Sequence, residues 1–114
     1  MRIDIKPLSV NEAYSGKRYK TEKYKRYKFA LLCKLPRLEL PPPPYRVEYV
    51  FGLSNPSADI DNPVKPFQDV LQAKYGFNDK HIDEISVKRA KVPRGSEFIS
   101  FKIEAINTPP NPGK

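Results

Sequence analysis

The sequence predicts an α+β domain: a small mixed or antiparallel sheet of about four strands, with two helices packed on one side. Three observations carry this expectation. Apolar residues alternate at period two in several short stretches, as strands with one buried face require. Two other stretches, 21–35 and 62–75, repeat apolar residues at helical spacing. The chain has 114 residues, the size of one domain, and carries no internal repeat.

Taken in order, Met1 to Pro7 sets Ile3 and Ile5 against Arg2, Asp4 and Lys6, a half-buried strand. Leu8 to Lys20 is polar and turn-like, a long loop that needs a reason to exist. Thr21 and Glu22 open a helix that runs to about Leu35 and is stopped by Pro36, with Tyr24, Tyr27, Leu31 and Leu35 as its apolar stripe. Pro41 to Pro44 reads as a polyproline II spacer, with a docking site for a proline-binding module as the alternative. Tyr45 to Phe51 turns Val47, Tyr49 and Phe51 inward as a strand, and the loop from Gly52 to Ser57 leads into Asp59. After Asn62 a helix faces Val64, Phe67, Val70 and Leu71 inward, leaving Lys65, Asp69 and Gln72 on another side. Pro63 suits a first helical position, whereas Pro66 disfavours helical backbone at Lys65. Either the helix begins at Pro66 or its first turn is distorted. Tyr75 to Asp79 is a return turn with Phe77 packed beneath it. Asp83 to Lys91 and Phe98 to Ile106, joined through Pro93–Ser96, read as an antiparallel hairpin. Residues 1–107 form the domain, and 108–114 are a frayed, proline-rich tail.

Composition narrows the partners. A formal net charge of +8 favours a polyanion. Membrane surface is the rival polyanion, but no apolar run approaches a membrane span and no lipidation motif is present. The start, Met-Arg-Ile-Asp-Ile, lacks a signal peptide's layout, so a cytoplasmic location is expected. One cysteine, Cys33, and one histidine, His81, exclude an internal disulfide and the usual zinc sites. Oxygen-ligated metal remains. Between Lys17 and Lys28 seven basic residues face one acid, Glu22. Candidate DNA contacts are therefore Lys17, Arg18, Tyr19, Lys20 and Lys23, with Lys88, Lys91 and Arg94 as a second basic patch; Asn11 and Tyr14 join them because the long loop that holds them reads as DNA-contacting. The alternatives are a mobile polar connection for the first group and an edge-strand guard against aggregation for the second. At helical spacing Tyr24 and Tyr27 read as core, which leaves Tyr19 as the base-stacking candidate.

Acidic residues run against this basic trend at Asp59, Asp61 and Asp69, then Asp79, with Lys65 among them. Asp59 and Asp61 share a face on extended backbone, and Asp61, Lys65 and Asp69 stack along a helix. If the helix ends near Lys74 and the chain turns at Gly76, Asp79 returns to the same corner. Such a corner suits magnesium, which takes one or two carboxylates plus water and phosphate oxygens. The alternative is a capped helix with a solvated ion-pair ladder. His81, beside these acids, reads as a surface residue more readily than as a general base.

The order Asp59-Ile-Asp61-Asn62-x-x-Lys65-x-x-x-Asp69-x-Leu71, then Gly-Phe-Asn-Asp79-x-x-Ile82, resembles the signature of the RusA-type Holliday junction resolvases of bacteria and their phages. Pro7, Ser9, Asn11 and Tyr14 resemble that family's N-terminal loop more weakly. The resemblance implies a RusA-like fold and a homodimeric endonuclease that resolves four-way DNA junctions by paired symmetric incisions. It implies magnesium, with manganese as a substitute, and no organic cofactor. Asp59, Asp61 and Asp79 would hold the metal, Lys65 would be the catalytic lysine, and the products would carry 5′-phosphate and 3′-hydroxyl ends. Asn78 stands where some relatives have a second acid, and Pro63 and Pro66 depart from the family's helix. Two other functions fit the same residues: a non-catalytic nucleic-acid-binding protein, or a nuclease that prefers flaps or forks.

Overall fold

A computed structural model describes residues 1–15 and 19–106, with Tyr19 described through its backbone alone. Strand β1 (Arg2–Ile3) is shorter than expected. The Ile5 N–H bonds back to the Ile3 carbonyl at 3.0 Å, a tight turn that takes the chain off the sheet. Leu8 to Lys20 is more ordered than a loop. Ser9 caps a one-turn helix α1 (Val10–Ala13), and β2 (Tyr14–Ser15) pairs with β3 (Tyr19–Lys20) in a two-stranded ribbon.

Helix α2 (Glu22–Lys34) agrees with its sequence signals. The Thr21 side chain accepts from the Tyr24 N–H, and Tyr24, Tyr27, Leu31 and Leu35 are all buried. The chain then bends through Pro42–Pro44 in place of a straight polyproline spacer, and enters β4 (Tyr45–Leu53). Helix α3 (Val64–Tyr75) follows, begun by a turn in which the Val64 N–H reaches the Asp61 carbonyl at 3.1 Å. Lys65 therefore lies inside the helix. Pro66 is tolerated because the first-turn N–H groups of a helix have no intrahelical acceptor. Gly76 closes α3 at φ 72°, a left-handed cap suited to glycine. A 3₁₀ turn (Asp79–His81), then β5 (Ile82–Lys91) and β6 (Phe98–Ala105), complete the fold.

The main sheet is mixed, in the order β1-β6-β4-β5. The expected β5–β6 hairpin is not formed, because β4 lies between them, antiparallel to β6 and parallel to β5. A helix-length crossover is the connection that joins parallel neighbours, and α3 is that crossover. Val47, Tyr49 and Phe51 are each 0% exposed, as a central strand demands. They pack with Ile99 and Phe101 of β6 against Phe67, Val70 and Leu71 of α3 and the buried stripe of α2. Phe67 is the hub: its ring meets Tyr49, Phe101 and Phe51 with centroids 5.3, 5.7 and 6.0 Å apart. No helix of the described residues is long and apolar enough to cross a membrane.

Candidate functional site

Beyond the last residue of β4, three segments converge. They are the loop carrying Asn55 to Asn62, the β5–β6 connection, and the chain entering α1. Between them lies an open cleft of about 910 Å³ at the carboxyl end of the parallel pair β4/β5. This is the place where open sheets with parallel strands bind ligands. Asp59, Asn62, Lys6, Ser9 and Arg94 line it, together with Glu12 and Glu97. Glu97 is held below the usual carboxylate range, chiefly by the Ser54 hydroxyl, which donates to it at 2.7 Å. The Gly95 N–H also donates to Glu97, at 2.9 Å. The connection that supplies Arg94 is thus tied to the end of β4.

Asp59 and Asp61 sit on consecutive turns, with the Asn62 N–H bonded to the Asp59 carbonyl at 3.3 Å, and both are exposed. The expectation that extended backbone aligns them is replaced by this turn geometry. The Asn62 carbonyl accepts from the Val10 N–H at 2.8 Å, which fixes α1 and the neighbouring Asn11 against the acidic turn. Lys65 follows on α3 with its ammonium 3.6 Å from Asp69. The Tyr14 hydroxyl donates to the same Asp69 oxygen at 2.6 Å, and its ring lies 5.6 Å from the Lys65 ammonium. Burial, and then the bond to Asp69, raise the Tyr14 pKa well above its ordinary value. The phenol therefore stays a donor at working pH. Tyr24 stacks beneath Tyr14 at 5.9 Å, and burial pushes its pKa up to about 12. Tyr14, one of the candidate contacts in the N-terminal loop, is thus placed beside Asp69 and Lys65 of α3.

Asp79 is not there. The register pairs Tyr45 with Ile82 and Leu53 with Lys91, so the residues before β5 lie at the start of β4 while Asp59 follows its end. Helix α3, 12 residues and about 18 Å long, separates them. The chain does turn at Gly76, but that turn leads into a parallel strand and away from the acidic corner. Asn78 and His81 stay with Asp79. The Asn78 N–H donates to His81 Nδ1 at 3.2 Å, and the imidazole packs edge-on against Tyr45. Both residues cap the 3₁₀ turn. Among the described residues no three His, Cys, Asp or Glu side chains are grouped to hold a metal ion. The three-carboxylate arrangement does not fit a single chain. Of the acids expected to hold a metal, Asp59 lines the cleft and Asp61 follows it two residues later on the same turn.

The candidate DNA contacts divide by location. Lys17 and Arg18 lie outside the described residues, as does the tail from 107 onward and the side chain of Tyr19. The Lys20 ammonium lies over the Tyr24 ring at 5.0 Å, and Lys23 pairs with Glu12 at 3.2 Å, next to the cleft. Lys88 and Lys91 are exposed on β5, and Arg94 borders the cleft. Sequence reasoning missed Lys6, Asn55 and Glu97. The signal that could have found them is the strand–helix–strand order, which predicts a parallel pair and a cleft at its carboxyl end. Compared with protein-family models and with curated proteins, the chain finds no match in either.

Proposed function

We propose that the protein is a magnesium-dependent endonuclease that cuts branched DNA, with four-way junctions as its substrate and resolution by paired cuts as its reaction. The observation that carries this reading is Asp59 in a cleft bordered by Lys6 and Arg94, with Asp61 on the same turn and Lys65 in the first turn of the helix that follows, in a chain of net charge +8. The resemblance to the RusA-type resolvases supports it. Asp59 and Asp61 would hold magnesium, with manganese as a substitute, and a bound ion of this kind polarises phosphate and lowers the pKa of coordinated water. Lys65 stabilises negative charge developing on the phosphate oxygens. Arg94, Lys6 and Lys23 hold the flanking backbone and contribute the salt dependence of binding. The setting is the DNA recombination and repair of a bacterial cytoplasm.

Asp79 can join this site only from a second copy, so the reading includes a homodimer whose two-fold axis matches the symmetry of a junction. The second reading, a non-catalytic DNA-binding protein, is favoured by the Lys65 ammonium resting 3.6 Å from Asp69, one helical turn away, as in a solvated ion-pair ladder.

Asp61→Asn separates the two. Loss of even an outer-shell partner of a metal ligand costs about 10–100-fold, so loss of a ligand itself should slow magnesium-dependent cleavage of a synthetic four-way junction at least about a hundredfold. Binding in a gel-shift assay should stay or strengthen, because a negative charge facing phosphate has gone. Unchanged cutting by the purified variant would remove the acidic turn from the mechanism. Equal rates on linear duplex, flap and four-way substrates would remove the junction preference.

A further inference from the structure

Strand β5 is an edge of the main sheet and is 10 residues long, paired on one side only, with β4. Such an edge is a template for another strand, and proteins guard it with charge or cover it. The charges here are not scattered as a guard requires. Asp83 and Glu84 fall in the first half of the strand, while Lys88, Arg89 and Lys91 fall in the second. Between them, Ile85 stays 49% exposed although its neighbour Val47 is fully buried.

We propose that β5 pairs antiparallel with β5 of a second copy, with Ser86 facing Ser86 across the two-fold axis, so that two four-stranded sheets become one. In this register Glu84 faces Lys88 and Ile85 faces Val87, each pair on one face of the joined sheet. Asp83 falls opposite Arg89. A parallel pairing of two copies would instead set acid on acid and base on base. Glu84 already accepts from Arg46 at 2.7 Å through Oε2, and its other oxygen is left for the second copy. Arg89 donates to the Pro56 carbonyl at 3.1 Å, so the Glu84–Lys88 pair and the apolar pair carry the register. The axis stands perpendicular to the sheet and leaves the helices of both copies on the same face.

This pairing gives a surface to the dimer of the preceding reading and rests on that reading for the expectation of a dimer alone. The antiparallel arrangement sets the Asp79 end of one copy beside the cleft end of the other.

The test uses the full chain with exposed Cys33 replaced (Cys33→Ser) and Ser86→Cys added. Facing residues of an antiparallel pair have Cα atoms about 4.5–5.5 Å apart, within disulfide reach. Mild oxidation should therefore convert most of the protein to a covalent dimer on a non-reducing gel. Lys88→Cys in the same background should not cross-link, since two such residues would lie about four strand positions apart, roughly 13 Å. Sedimentation of the unmodified protein should give the dimer mass. A monomer, a dimer in which Ser86→Cys forms no cross-link, or equal linking at both positions overturns the proposal. So does a β5 edge that takes up an extended peptide in place of a second copy. A junction-cleavage assay on the same samples keeps the two readings apart. Cutting without the link sinks the interface alone, and the link without cutting sinks the nuclease alone.

Discussion

At Tyr14 a phenol closes over a carboxylate that in turn faces a lysine. The 2.6 Å bond from Tyr14 to Asp69 leaves the Asp69 side chain little freedom, and Lys65 sits 3.6 Å from the oxygen so fixed. As an ion pair the contact is worth little: the Lys65 side chain is 64% exposed, and exposed pairs contribute about 0–1 kcal/mol. Under the proposed function its value lies in direction. A lysine leaning on a fixed carboxylate is aimed, and at a phosphate a misaimed cation loses charge stabilisation. Tyr14→Phe removes one hydrogen bond, worth about 0.5–1.5 kcal/mol, so single-turnover cleavage should slow between about twofold and tenfold with junction binding unchanged. Asp69→Asn should slow it further at unchanged affinity. A matched loss of binding and cleavage would instead make Tyr14 a DNA contact.

At the scale of elements, the structure turns on β4 and what crosses over it. The positions of α2, β4 and α3 are legible because caps, prolines and apolar spacing act locally: Thr21 caps, Pro36 stops, and Phe67, Val70 and Leu71 face one way, while Pro66 leaves the start of α3 open. The neighbour relations are harder to read where two local signals compete. A short connection through Pro93 and Gly95 suggested that β5 and β6 pair, whereas the connection spans the end of β4 and anchors there, the Val92 N–H bonding to the Leu53 carbonyl at 3.1 Å. The crossover helix was the better guide. A helix-length crossover implies a parallel pair, and a parallel pair places Asp59 and Asp79 at opposite ends of the sheet. Gly52 records how closely β4 and β6 meet: a Cβ built there would lie 2.3 Å from the Phe98 ring, which Arg2 covers at 4.0 Å. Gly52→Ala should therefore overpack this contact and destabilise the fold by about 1–3 kcal/mol in urea unfolding. In a Phe98→Ala background, itself less stable, Gly52→Ala should cost little further, and an unaltered midpoint in Gly52→Ala alone would show that the ring swings aside freely.

For the whole molecule, the proposed function has the consequence that acids placed at both ends of one sheet become a single site only by symmetry. Asp61 and Asp79 lie at opposite ends of α3, and an antiparallel two-fold pairing brings unlike ends together. Mixing two variants tests this. Asp61→Asn and Asp79→Asn should each abolish junction cleavage as homodimers. In a mixed dimer of shared sites, one site collects both substitutions and the other collects neither. Random exchange makes half of the dimers mixed, so about a quarter of the sites should be intact. The product is diagnostic, because a dimer with one working site nicks a junction and does not resolve it. Recovery of nicking, measured after denaturing and re-annealing the two variants together, supports sites shared between copies. If the mixture stays silent, each chain keeps its acids to itself and Asp79 acts elsewhere. If Asp79→Asn alone cuts at the normal rate, two carboxylates on one turn are the whole of the metal's protein ligands.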